Sequence, residues 1–144
     1  MPEESNLTFF IPDSESTLDA ILISSGISAG FPSPAGDFKQ ERISLDRELI
    51  KNKEATFFAR VSGQSMVGAG LDDNDLLVID RSLEPSNNKI AVCLIDGDFT
   101  VKRLRVEKGK IYLQPENPNY KLIEITADNQ FVIWGIVTNV IKKV

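Results

Sequence analysis

Residues 90–106 read IAVCLIDGDFTVKRLRV. Two apolar runs flank Asp96-Gly97, a dipeptide suited to the two left-handed positions of a tight hairpin turn. The spacing predicts paired strands over 89–95 and 98–106. Side chains alternate along a strand, so Thr100, Lys102, Leu104 and Val106 share one face, and Val101, Arg103 and Arg105 the other. Lys102 is therefore the one cation of this arm in phase with Leu104 and Val106. If that face meets the core, the lysine points inward. Otherwise it sits at the strand's edge and extends its ammonium to water.

Short apolar runs with turn residues between them continue on both sides of the hairpin. Strands are expected over 56–61, 76–79, 110–114 and 122–126, with a long one over 131–141 closing the chain. This pattern predicts a mainly β fold, a curled sheet or partly open β-barrel. Ile43, Leu45, Leu49 and Ile50 suggest a strand and a short helical turn. Further upstream, residues 1–17 are polar, contain Pro2 and Pro12, and read as loosely ordered. Leu18, Ile21 and Leu22 have helical spacing, stopped by Ser24-Ser25-Gly26. Pro32 and Pro34 force residues 30–36 into an extended or turning path. The chain thus divides into a flexible acidic arm, 1–40, and a β-rich domain, 41–144.

Apolar residues make up 42% and charged residues 26%, the balance of a soluble globular protein. No apolar run approaches the ~20 residues that span a bilayer, and the N-terminus lacks the basic start of a signal peptide. A cytoplasmic protein without membrane contact is expected. Residues 1–38 hold six acids and no Lys or Arg, while the rest holds 15 acids against 16 bases. A near-neutral body with an acidic arm argues against direct, charge-driven DNA binding. Cys93, the sole cysteine, excludes an internal disulfide and reads as a small buried hydrophobe. The absence of histidine removes the Ser-His-Asp triad, the Cys-His pair and most zinc sites. No cofactor or metal is expected.

The stretch VSGQSMVGAGL, residues 61–71, places Ser65 on a glycine-flanked corner. Ser and Gly make turns for their own reasons, and a catalytic serine would need a base from elsewhere. An inward Lys102 is a candidate. Burial disfavours its charged form, and a fall in pKa from about 10.4 to about 7–8 costs roughly 3–5 kcal/mol, tolerable for a folded domain. A neutral amine can take a proton from a serine hydroxyl.

Ser62-Gly63-Gln64-Ser65-Met66, followed by Phe99-Thr100-Val101-Lys102-Arg103-Leu104, resembles the Ser-Lys self-cleaving peptidase domain shared by LexA repressors, phage repressors and UmuD proteins. Ala29-Gly30-Phe31-Pro32-Ser33-Pro34-Ala35 is similar to the cleavage region of the UmuD branch. The resemblance runs from about residue 29 to the C-terminus. It implies Ser65 as nucleophile, Lys102 as general base, the backbone N–H groups of Gln64 and Ser65 as oxyanion hole, and Ala29–Gly30 as the scissile bond. It also implies that Ser65 opens a short helical turn. The family usually has Cys or Ala before that glycine, so Ala29 conforms. Only 29 residues precede the bond, too few and too acidic for the DNA-binding domain of a LexA-type repressor.

The partners implied are a second copy in a homodimer, a RecA–single-stranded DNA filament that stimulates cleavage, and the UmuC-like catalytic subunit of an error-prone translesion polymerase. The setting is the SOS response to DNA damage. Two other readings remain open at this point. One is a non-catalytic β-domain interaction module. The other is a signal-peptidase-like Ser-Lys protease acting in trans, against which the missing membrane anchor argues.

Overall fold

The central hairpin turns on two residues in the left-handed region. In the computed structural model, Asp96 and Gly97 take φ of 49° and 90°, values that suit the right-handed twist of the strands they join. The structure describes residues 6–12, 19–23 and 40–144.

Two compact units are formed, one by residues 1–12 with 52–144 and the other by 13–51. In chain order the elements are β1 (Asn6–Phe10), β2 (Asp19–Ile23), β3 (Gln40–Ser44), α1 (Leu45–Leu49), β4 (Thr56–Ser62), β5 (Leu76–Asp80), β6 (Ile90–Ile95), β7 (Asp98–Glu107), β8 (Lys110–Gln114), β9 (Ile123–Ile125) and β10 (Phe131–Ile141). Short 3₁₀ turns cover Lys53–Ala55 and Val67–Ala69. The smaller unit pairs β2 with β3, from Asp19↔Ser44 to Ile23↔Gln40. Ser44 then caps α1 by accepting the Arg47 N–H at 3.4 Å.

The larger unit is an eight-stranded sheet in the order β1-β4-β5-β10-β6-β7-β8-β9, each neighbouring pair antiparallel. β10 sits near its middle, with register shifts against β6 between Ile133 and Gly135 and against β5 between Val137 and Asn139. Each extra residue bends the strand and adds twist, so the sheet curls into a half-barrel. Gly135 is required there, because a Cβ would meet Ile79 Cγ2 at 2.6 Å. The fold is mainly β, as the run of short strands demands.

Val92 and Val101, cross-strand partners, belong to a core with Ala59, Val61, Met66, Leu71, Leu77 and Ile79. Ala91, Cys93 and Leu104 pack instead with Leu113 and Ile136. The β6–β7 hairpin is thus buried on both faces, which is why Ile90–Ile95 is apolar without alternation.

Three expectations need correction. Asn6–Phe10 is not loose but forms the edge strand beside β4, in register from Asn6↔Ser62 to Phe10↔Phe58. Ile21 and Leu22 lie in a strand rather than a helical turn, since a partner strand is at hand and so short an apolar run fits either period. Leu18 lies outside the described residues. Val106, in phase with Lys102 and Leu104, does not share their burial: it is 49% exposed, beyond the last residue of β7 that pairs with β6.

The loop after the 67–69 turn is tied to the sheet. Val61 N–H donates to the Asp75 carbonyl and Asn74 N–H to the Val61 carbonyl, both at 2.8 Å. Lys142, just past β10, donates to Asp72 Oδ2 at 2.6 Å and also to Asp75 Oδ2. Burial opposes the Asp75 anion. Hydrogen bonds from Lys142 and from the Asp72 N–H, with the Lys142 charge, outweigh that and hold its carboxyl below the ordinary 3.8. The bonds to Asp72 and Asp75 hold the Lys142 ammonium above its ordinary 10.5.

The Asp75 contribution to stability is therefore complete above pH 3.8 and lost as pH falls through its lower folded value. The Lys142 contribution is complete below pH 10.5 and lost as pH rises through its higher folded value. Urea midpoints measured across pH should form a plateau between these limits. Lys142→Met should lower the plateau and remove the alkaline limb.

Candidate active site

β4 delivers the chain to a corner that sequence alone leaves unanchored. Gly63 turns it at φ 105°, a backbone that side chains resist, and its N–H donates to Asp73 Oδ1 at 3.0 Å. On the far side, Asn117 Nδ2 donates to the Gln64 carbonyl at 2.8 Å. Gly68 N–H donates to the Glu116 carbonyl at 2.6 Å, an approach so close that a Cβ on Gly68 would overlap that oxygen. Glu116 also forms an ion pair with Arg103 of β7. Residues 116–117 therefore strap the serine corner to the strand that carries Lys102.

Ser65 and Lys102 meet in this arrangement. Lys102 Nζ lies 3.3 Å from Ser65 Oγ, and the two residues are 2% and 0% exposed. Nζ also donates to Thr100 Oγ1 at 2.6 Å and to the Val101 carbonyl at 3.2 Å. The inward reading of the alternation holds: Thr100, Lys102 and Leu104 are all buried. Opposite Lys102 on β6 stands Ala91, whose small side chain leaves room for the lysine stem.

The Gln64–Ser65 peptide is planar and trans, so its N–H points opposite to the carbonyl held by Asn117. The Asn117 bond thereby fixes the direction of the Ser65 N–H. Beside the corner opens a cleft of about 760 Å³, lined by Ser62, Gly63, Gln64, Asp73, Asn117, Asn119 and Tyr120. Ala29 and Gly30 lie outside the described residues.

One local expectation is corrected. Ser65 does not open a helical turn. The 3₁₀ turn begins at Val67, and Met66, whose side chain is drawn into the core, flanks it with a non-helical backbone of φ −120° and ψ 21°. No helix dipole is therefore aimed from Ser65.

Cys93 pairs with Thr100 across β6 and β7 and is fully buried. Burial pushes its thiol up to about 12, so it stays protonated and inert at neutral pH. Among the described residues, no group of three or more His, Cys, Asp and Glu is placed to hold a metal ion. No helix among them is long and apolar enough to cross a membrane.

Four residues that build this site escaped the reading of the sequence: Asp73, Thr100, Glu116 and Asn117. Thr100 did carry a signal, since it lies two positions before Lys102 on the same strand face. The others act from loops, where composition indicates turns but not partners.

Comparison with known proteins follows the same lines. Residues 21–138 match the Peptidase S24-like family. The chain belongs to that family. MucA of Salmonella typhimurium is 43% identical over 114 residues, 78% of this chain and 77% of that protein. ImpA of Shigella flexneri is 39% identical over 122 residues, 85% and 83% of the two chains. LexA repressor 1 of Geobacter sulfurreducens is 38% identical over 93 residues, 65% of this chain and 45% of that protein. This S24 chain is thus a UmuD-like member of the LexA/UmuD group, a serine peptidase family of the self-cleaving kind.

Thr100→Val keeps the shape of the side chain and removes the acceptor for Lys102. A buried donor left short of a partner costs about 1–3 kcal/mol. Urea unfolding should register a loss of that size, against a near-silent Thr138→Val on the exposed end of β10.

Proposed function

We propose that this chain cleaves itself between Ala29 and Gly30, with Ser65 as nucleophile and Lys102 as general base, in an SOS response to DNA damage. The observation that carries the reading is the buried 3.3 Å contact between Lys102 Nζ and Ser65 Oγ. Thr100 Oγ1 and the Val101 carbonyl offer acceptors for two N–H bonds of a neutral amine. Its lone pair then faces the serine hydroxyl, the arrangement a general base requires.

In the proposed reaction, Ser65 Oγ attacks the Ala29 carbonyl carbon as its proton passes to Lys102. The N–H groups of Gln64 and Ser65 stabilise the oxyanion. Collapse breaks the Ala29–Gly30 bond, and the Lys102 ammonium protonates the departing Gly30 amine. Lys102, neutral again, takes a proton from water as that water attacks the Ser65 ester. The products are residues 1–29, ending in a carboxylate, and 30–144. Because nucleophile and scissile bond share one chain, proximity supplies much of the rate.

A RecA–single-stranded DNA filament stimulates this reaction by favouring the chain conformation that brings the bond to Ser65, and contributes no catalytic group. The processed chain acts as a homodimer with the UmuC-like subunit of a translesion polymerase. Residues 1–29 hold five acids and no base, so the product 30–144 carries 16 of each. Cutting removes the whole net charge, which lessens long-range repulsion from acidic partners.

Purified protein held at alkaline pH and weighed by mass spectrometry tests the reading. A product beginning at Gly30 is expected, at a rate that climbs between about pH 6 and 10 as the neutral amine becomes more abundant. Ser65→Ala and Lys102→Ala should each reduce the rate by several orders of magnitude, because the pair acts as one unit, while Cys93→Ala continues to cut. Cleavage at another bond, or an active Ser65→Ala protein, overturns it.

A further inference from the structure

β1 occupies a place in the sheet that the proposed cleavage would vacate. It is the outermost strand, paired only with β4 in the sheet order, and it lies upstream of Ala29–Gly30 in the chain. Leu7 and Phe9 pack against the core, while Phe10 is 44% exposed. The Phe9 ring lies 4.9 Å from Phe99 of β7 and 4.8 Å from Trp134 of β10, centroid to centroid. Phe57 of β4 flanks Trp134 at 5.1 Å, and the Arg81 guanidinium covers the indole at 4.4 Å. Phe9 thus enters an aromatic socket assembled from three strands.

Without β1, residues 58–62 of β4 would present an unpaired row of N–H and C=O groups beside an empty socket. Edges left open by design are bulged, interrupted by proline or shortened. This one is none of these: its register with β1 runs unbroken over five residues. It is built to be paired. Two cations stand at it, Arg60 opposite Thr8 and Arg81 over Trp134, and in sequence β1 is flanked by Glu3-Glu4 and Asp13.

We propose that the β4 edge and the Phe57–Phe99–Trp134 socket are a peptide-binding groove, filled by β1 in the intact chain and opened to a protein partner when residues 1–29 are released. The occupant is an extended segment of a different protein with an aliphatic side chain and an aromatic one two positions later, flanked by acids, pairing antiparallel with residues 58–62. Main-chain bonds give such a strand affinity, and the socket gives specificity. Cleavage leaves residues 1–29 held only by the non-covalent β1–β4 and β2–β3 pairings, so the strand can dissociate and open the groove on dilution. The proposal rests on the self-cleavage reading for the release of β1, not for the groove itself.

The test uses the full chain carrying Ser65→Ala, so no processing is needed. In one form β1 is intact; in the other Leu7→Asp and Phe9→Asp vacate the groove. The probe is a labelled peptide of residues 3–13, followed by anisotropy and by emission of Trp134, the sole tryptophan. The vacated chain should bind it saturably and at least tenfold more tightly than the intact chain, with a change in Trp134 emission. A peptide carrying Phe9→Ala should lose at least tenfold. Equal binding by both chains, no binding by the vacated chain, or indifference to Phe9 in the peptide overturns the groove. If the double variant does not fold, Phe9→Ala replaces it, and hydrogen exchange at residues 58–62 must slow on adding peptide; no slowing overturns the groove. A pair that forms only between vacated and intact chains, and is lost with Phe9→Ala in the intact one, overturns the assignment to a different protein and makes a second copy the occupant. Failure of self-cleavage would appear separately, as unchanged mass in the unmutated protein.

Discussion

A lysine amine sealed inside a β-sheet constrains everything around it. Lys102 is 2% exposed, and its nitrogen must find partners that water no longer provides. Thr100 Oγ1 and the Val101 carbonyl supply two from the same strand, at 2.6 and 3.2 Å, and Ser65 Oγ supplies a third from a corner 37 residues earlier. The strand can carry such a residue because Ala91 opposite is small and Leu104, two positions on, anchors the same face in the core. Desolvation of this kind is costly unless each polar group finds a partner, and these three contacts supply them.

The serine half is held differently. A tight corner has few backbone hydrogen bonds of its own, so this one borrows them from loops. Asp73 receives the Gly63 N–H, Asn117 donates to the Gln64 carbonyl, and Glu116 receives the Gly68 N–H. Lys142 ties Asp72 and Asp75 from the end of the last strand, so the C-terminus of the sheet steadies a loop that steadies the corner. The Arg103–Glu116 ion pair brings the strap back to β7. Each of these contacts fixes the corner from a different part of the chain.

The N-terminal strand adds a second role for the same sheet. β4 ends at Ser62, three residues before Ser65, and its outer edge holds β1. The strand that leads to Ser65 is therefore also the one whose pairing changes if the N-terminal segment is cut away. Under the proposed reaction, one covalent event further along the chain alters the exposed edge of the sheet without rebuilding its core.

Much of this was legible in the sequence, for reasons of local physics. Asp96-Gly97 between apolar runs specified the hairpin, because few residues tolerate its two positive φ values. The two-residue period put Thr100, Lys102 and Leu104 on one face, and the two sequence blocks around Ser65 and Lys102 marked the family. Other features depended on contacts distant in the chain. Asn6–Phe10 becomes a strand because β4 offers it a ladder and Phe99 and Trp134 a socket, neither of which its five residues reveal. Whether Lys102 pointed to core or water was undecided until strands on both sides closed over it. The 3.3 Å contact itself, and the strap from Glu116 and Asn117, join residues far apart in the chain. Period and turn chemistry act between neighbours in the chain, whereas burial and side-chain partners belong to the assembled sheet.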